Sequence, residues 1–254
     1  MKRFLTLLLA VLMLFAAVTC FAGCGSDKNS EKKVLKMATN AYFAPYEFYE
    51  GETIVGIDAE IAKAIADKLG MELVIQDMVF DSILTAVQNG TVDFGMAGMT
   101  VTEDRLKEVN FTTSYAKGVQ SIIVTEDSEI TSVDDLYAED ASYKIGVQLG
   151  TTGDIYSTDD FGEANVSRYA TGNEAVSALL KGDVDCVIID NQPAKAYVAN
   201  NKGTKILKTS YADEDYAICV SKENKELLEK LNKAINELIA DGTVEKIVNK
   251  YIKE

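Results

Sequence analysis

Met96-Ala97-Gly98-Met99-Thr100-Val101-Thr102-Glu103-Asp104-Arg105 carries the reading of both fold and chemistry. The run 92–97 predicts a buried strand and Gly98 a tight turn. Thr102 then caps a helix whose first turn holds Glu103 and Asp104, acids that suit the positive helix end. Arg105 follows and points back toward the strand end. Beyond residue 23 the chain holds two arginines, Arg105 and Arg168, and otherwise uses lysine. A planar, five-donor guanidinium beside a strand-end turn suits a carboxylate, gripped through two parallel hydrogen bonds. The plainer alternative is a solvated arginine on a helix surface.

Outward from this stretch, apolar runs alternate with amphipathic helices. Strands are predicted at 34–38, 72–75, 92–97 and 121–124, and helices at 58–69, 82–89 and 103–108. Ile57, Ile61, Ile65 and Leu69 form a core-facing stripe, and Gly70 ends that helix. A second block begins near Glu126, with strands at 144–147 and 184–189 and helices at 173–181 and 193–200. Helices at 222–240 and 244–251 close the chain. This alternation predicts an α/β fold with mostly parallel sheets covered by helices.

The two blocks rhyme. Gly90-Thr91-Val92-Asp93 and Gly182-Asp183-Val184-Asp185 each join a helix end to a strand. Equal spacing past the two glycines arrives at Gly98 and at Asp190. Each block thus presents a polar turn at the carboxyl end of an equivalent strand, where ligands of open α/β sheets bind.

The N-terminus runs from Met1-Lys2-Arg3 through an apolar stretch to Phe21-Ala22-Gly23-Cys24. A basic start, an apolar run and small residues before a cut predict an export signal over 1–23, with a permanent signal anchor as the rival. The segment at Cys24 resembles a lipoprotein acceptor site, followed by a polar tether over 24–33. The body of the protein is therefore expected outside the cytoplasm.

No later segment is apolar enough to span a membrane. Losing Lys2 and Arg3 takes the formal charge from −15 to −17. So acidic a surface argues against nucleic acid and against anionic lipid. Of four cysteines, Cys20 leaves with the signal and Cys24 is the lipid acceptor. Cys186 and Cys219 lie in strand-like runs and read as buried free thiols. The chain has no histidine, which weighs against zinc chemistry and serine–histidine catalysis.

Three post-strand loops are candidates to join Arg105. The first, Asn40-Ala41-Tyr42-Phe43-Ala44-Pro45-Tyr46-Glu47-Phe48, is unusually aromatic. The second is Met78-Val79-Phe80-Asp81. The third, Gln148-Leu149-Gly150-Thr151-Thr152-Gly153, can offer backbone N–H groups to an anion at a helix start.

Together with Gly56-Ile57-Asp58-Ala59-Glu60-Ile61 and Val187-Ile188-Ile189-Asp190, in this order, these motifs closely resemble the bacterial extracellular amino-acid-binding proteins, the substrate receptors of ABC transporters. The resemblance covers residues 34–251. It implies a two-lobe, periplasmic-binding-protein-like (type II) α/β fold with two hinge strands. Lobe 1 would be 34–114 with 219–254, lobe 2 120–213, and the hinge 115–119 with 214–218. It further implies a monomer that captures a free amino acid and delivers it to a permease, with no metal and no cofactor. Arg105 would clamp the α-carboxylate, helped by Thr100 and the amides of Thr151 and Thr152. Asp190 and the Gly98 carbonyl would take the α-ammonium, and Phe43 and Phe80 would sandwich the side chain.

Asn40 stands where the family's basic-amino-acid and glutamine receptors often carry aspartate. Gln148 stands where glutamine receptors can carry lysine. Both departures favour an uncharged polar ligand over a basic amino acid or cystine. An enzymatic rival is a dehydratase of the same fold, with Glu47, Glu103 or Asp190 as candidate acid. A sensory input domain is the other, a reading that would want a further transmembrane or signalling segment.

Overall fold

Two mixed sheets, each covered by helices on both faces, organise the computed structural model, which describes residues 33–252. The proposed signal, Cys24 and all of the tether before Lys33 lie outside the described residues. The first run comprises β1 (Val34–Thr39), β2 (Tyr42–Phe43), β3 (Glu47–Glu50), β4 (Thr53–Val55), α1 (Ile57–Leu69), β5 (Glu72–Asp77), α2 (Ile83–Gln88), β6 (Phe94–Gly95), α3 (Glu103–Glu108) and β7 (Val109–Phe111). The second comprises β8 (Ala116–Thr125), β9 (Ile145–Gln148), α4 (Thr152–Phe161), β10 (Val166–Tyr169), α5 (Gly172–Lys181), β11 (Cys186–Asp190), α6 (Asn191–Asn200), β12 (Thr204–Ile206) and β13 (Ala212–Tyr216). β14 (Cys219–Ser221), α7 (Lys225–Ala240) and α8 (Thr243–Tyr251) follow.

The apolar stripe forms α1 as its spacing predicts. Ile57, Ile61 and Ile65 are fully buried, and Gly70 ends the helix in the left-handed region at φ 66°. They pack with Leu231 and Ile235 of α7 on one face of the first sheet, while Ile83, Val87 and Cys219 fill the other. Ile122, Val147 and Ile188 lie on one face of the second sheet, and Ile123, Val176 and Val187 on the other. Cys186 and Cys219 are buried free thiols.

The sheets are less parallel than the βα alternation predicts. β1 runs parallel to β5 and β6, but β14 is antiparallel to β6 and β7. In the second sheet β9 is parallel to β10 and β11, whereas β8 is antiparallel to β11, β12 and β13. The antiparallel pairs arise because one long strand enters the second sheet and a later segment returns beside it.

That return positions the site. The chain leaves the first sheet after Phe111, enters the second at Ala116, and comes back between Tyr216 and Cys219. Ala116 pairs with Tyr216, so the two crossings run side by side. The returning strand also binds the Met96–Arg105 stretch. Val101 N–H donates to the Asp215 carbonyl at 3.0 Å and Ala217 N–H to that of Met99 at 3.0 Å. The strand-end turn and the crossing are therefore one hydrogen-bonded unit.

Candidate functional site

Thr102 caps α3 by accepting the Arg105 amide at 3.2 Å. This turns the Arg105 side chain inward, where it is only 5% exposed. Nη1 donates to the Thr100 carbonyl at 2.8 Å and Nη2 to the Gly150 carbonyl at 3.0 Å. The other guanidinium N–H groups have no protein partner among the described residues, and no carboxylate lies within ion-pair distance of them. Burial lowers the Arg105 pKa while Glu214 opposes that shift. The Phe80 ring lies beneath the guanidinium, 5.5 Å from its carbon, a cation–π arrangement. A buried cation without a counter-ion is costly unless something charged is meant to meet it.

Arg105 opens onto a cavity between the two sheets. From the first sheet and the loops after its strands come Asn40, Phe80, Ala97, Gly98 and Thr100, and from the small sheet of β2, β3 and β4 come Phe43 and Glu47; from the second sheet and the loop after β9 come Gln120, Gln148, Thr151, Thr152 and Tyr216. Gly98 has φ +53°, and a Cβ there would lie 3.0 Å from the Phe43 ring. Both facts require glycine. Gly150, at φ +76°, brings its backbone against Asp81, 2.6 Å from where a Cβ would sit. The lobes also touch directly. Gln148 Nε2 donates to Asn40 Oδ1 at 2.9 Å, and Tyr197 OH donates to the Tyr42 carbonyl at 2.6 Å. The cleft is closed.

Residues 35–254 match the sequence profile of the bacterial extracellular solute-binding proteins, family 3. The chain belongs to this family. An arginine-binding extracellular protein of Bacillus subtilis is 33% identical over 99% of this chain and 98% of its own length. A glutamine-binding protein of an ABC transporter from the same organism is 30% identical over 97% and 96%. A solved structure of an ancestral arginine-binding protein bound to glutamine superposes with a TM-score of 0.81. It is 40% identical over 88% of this chain and 99% of that one.

For this family 3 protein, Asn40, Phe43, Phe80, Gly98, Thr100, Arg105, Gln148, Thr151 and Thr152 all line one cavity. Asp190 does not line it. Its Oδ2 accepts from Tyr216 OH at 2.8 Å and from Val119 N–H at 3.0 Å, while Oδ1 accepts the Gln192 amide at 2.8 Å and caps α6. It sits behind the Tyr216 ring with its oxygens already engaged. Burial, opposed by these three bonds, holds its pKa up at about 6.

Four lining residues, Glu47, Ala97, Gln120 and Tyr216, lie outside the predicted set. Gln120 and Tyr216 belong to the crossing strands, whose adjacency depends on pairing nearly a hundred residues apart. Glu47, weighed in the sequence only as an acid for an enzyme, is fully buried and lines the cavity. Its position inside an aromatic hairpin carries no local signal of a ligand role.

Proposed function

We propose that this chain is an extracellular amino-acid receptor. It captures a free α-amino acid between two closing lobes and hands it unaltered to the permease of an ABC transporter. Lobe 1 comprises 34–114 with 219–254, lobe 2 comprises 120–213, and 115–119 with 214–218 form the hinge. The supporting observation is Arg105, a buried guanidinium facing the cleft with spare donors and no carboxylate partner. The ligand's α-carboxylate supplies the missing anion, with Thr100, Thr151 and Thr152 completing its hydrogen bonds. The Gly98 carbonyl receives the α-ammonium, and Asp190 acts on it through Tyr216. Phe43 and Phe80 flank the side chain. At its far end Asn40 and Gln148, already bonded to each other, face a polar group.

Because both lobes touch the ligand, it has differential affinity for the closed state and shifts the population toward it. Cys24 is the acceptor of a lipid anchor that holds the monomer at the outer face of the membrane, or in a periplasm. A calorimetric screen of the amino acids with their methyl esters tests the site. The expected result is tight binding of a polar amino acid and loss of binding by its ester. An ester that binds as tightly as the free acid rejects the clamp. For the anchor, a Cys24→Ser variant is expected to lose lipid labelling, and retained labelling rejects it.

A further inference from the structure

We infer that Asp154 and Arg168 are positioning residues of the receptor: they hold the Gly150 turn in the shape that meets Arg105, and Arg168 cancels a charge that would oppose the ligand's carboxylate. This rests on the amino-acid reading above and adds to its site two residues that do not line the cavity.

Arg168 is the second of the two arginines beyond residue 23, and the cleft does not use it. It stands on β10, whose parallel register sets it opposite Val147 of β9, just before the Gln148–Thr152 loop. Its Nε donates to Asp154 Oδ1 at 2.8 Å. Nη1 and Nη2 grip the two Glu163 oxygens at 2.5 and 2.8 Å, and Nη2 also donates to Thr158 Oγ1 at 2.8 Å. A planar fork can bridge two carboxylates in this way, and the point charge of a lysine cannot. The Glu163 side chain is 72% exposed, so that half is a surface pair of little weight. The Asp154 side chain is 8% exposed, and a buried carboxylate is costly without its partner.

Asp154 passes this hold to the loop. Its Oδ2 accepts the Gly150 amide at 3.0 Å, and its own amide donates to Thr151 Oγ1 at 3.3 Å. That carboxylate is the only partner of the Gly150 amide among the described residues. Gly150 has φ +76°, and its carbonyl takes Arg105 Nη2 at 3.0 Å. A path of hydrogen bonds therefore runs from Glu163 through Arg168, Asp154 and Gly150 to the anion clamp. A glycine turn has many accessible conformations, so its shape has to be imposed from outside.

Asp154 also lies in the first turn of α4, whose opening residues Thr151 and Thr152 line the cavity. A carboxylate there suits the positive helix end but repels an anion bound at the same end. Arg168 supplies the opposite charge from outside the cavity.

The test titrates L-arginine and L-glutamine into the whole protein and its variants, and follows amide hydrogen exchange of the unliganded forms by NMR. Asp154→Ala is expected to bind about tenfold or more weakly, because the binding-competent fraction of the turn falls in proportion. Asp154→Asn keeps an acceptor for the Gly150 amide and is expected to stay within about threefold of wild type. Arg168→Met leaves Asp154 charged and unpaired, and adding Asp154→Asn to it is expected to recover most of the lost affinity. In the wild type the Gly150 amide should exchange slowly. In Asp154→Ala it should exchange fast while the α1 amides keep their rates, which a merely structural loss would not do. Wild-type affinity in both Asp154→Ala and Arg168→Met, no recovery in the double variant, or fast Gly150 exchange in the wild type overturns the assignment. The last of these needs no variant to fold. Failure of every free amino acid to bind the wild type overturns the amino-acid reading instead, whatever the exchange of Gly150.

Discussion

The two βα blocks use one framework and finish it differently. Asp93, after Gly90, accepts the Lys36 amide at 2.7 Å, and its own amide returns to the Lys36 carbonyl at 2.9 Å. Asp185, after Gly182, does the same with Lys144, at 2.6 Å and 2.8 Å. Each aspartate ties the start of one strand to the strand beside it. Beyond the two strands the likeness ends. The first block turns at Gly98 and leads to Arg105, a cation without a counter-ion. The second ends in Asp190, a carboxylate consumed by Tyr216, Val119 and the cap of α6. Equivalent positions in a repeat thus inherit the scaffold and not the chemistry.

The largest expected effect follows from that asymmetry. Arg105→Ala is expected to lower affinity by roughly two to four decades, since it strands a desolvated carboxylate at a penalty of about 3–5 kcal/mol. Thermal stability of the unliganded variant should not fall, because an unpaired buried charge has gone. Calorimetry and thermal melts read the two separately.

Asp190→Ala is expected to behave oppositely. Losing a helix cap and two further hydrogen bonds costs about 2–4 kcal/mol of stability, with a smaller loss of affinity. An Asp190→Ala protein that melts like wild type yet fails to bind breaks the comparison and returns Asp190 to direct ligand contact.

Each turn is also held by a buried carboxyl, Asp58 under Gly98 and Asp190 in the second block, and burial raises both to about 6. A raised carboxyl binds its proton more tightly folded than unfolded, so stability is gained as pH falls through the folded value toward the unfolded one. Between about pH 7.5 and pH 5 ordinary carboxylates hardly titrate, and the unliganded protein is expected to melt several degrees higher at the acid end. A melting temperature that falls over this window rejects these shifts.

The smallest effects sharpen the shared part. Asp93→Ala and Asp185→Ala should each cost about 0.5–1.5 kcal/mol, equally, and leave affinity unchanged. Unequal losses show that the two ties are not equivalent.

Much of this was legible along the chain. The α1 stripe, its Gly70 end, the Thr102 cap and the inward Arg105 depend on contacts within a turn or two, where period and capping chemistry act. α4 escaped notice because its inward face carries Gly153, Asp154 and Ser157 instead of an apolar stripe. The three-stranded sheet of β2, β3 and β4 reads along the chain only as an aromatic loop. Its short, half-exposed strands lack a two-residue alternation.

By itself the sequence determined the two-block α/β plan, the inward turn of Arg105 behind its Thr102 cap and the family. The tertiary structure decided the rest: the antiparallel strands, the crossings that bring Gln120 and Tyr216 to the cavity, the withdrawal of Asp190 and the burial of Glu47 in the cavity wall. The physical reason is range. Periodicity and caps are written within a few residues. Whether a buried polar group is met depends on which distant side chain arrives beside it, as Tyr216 does for Asp190.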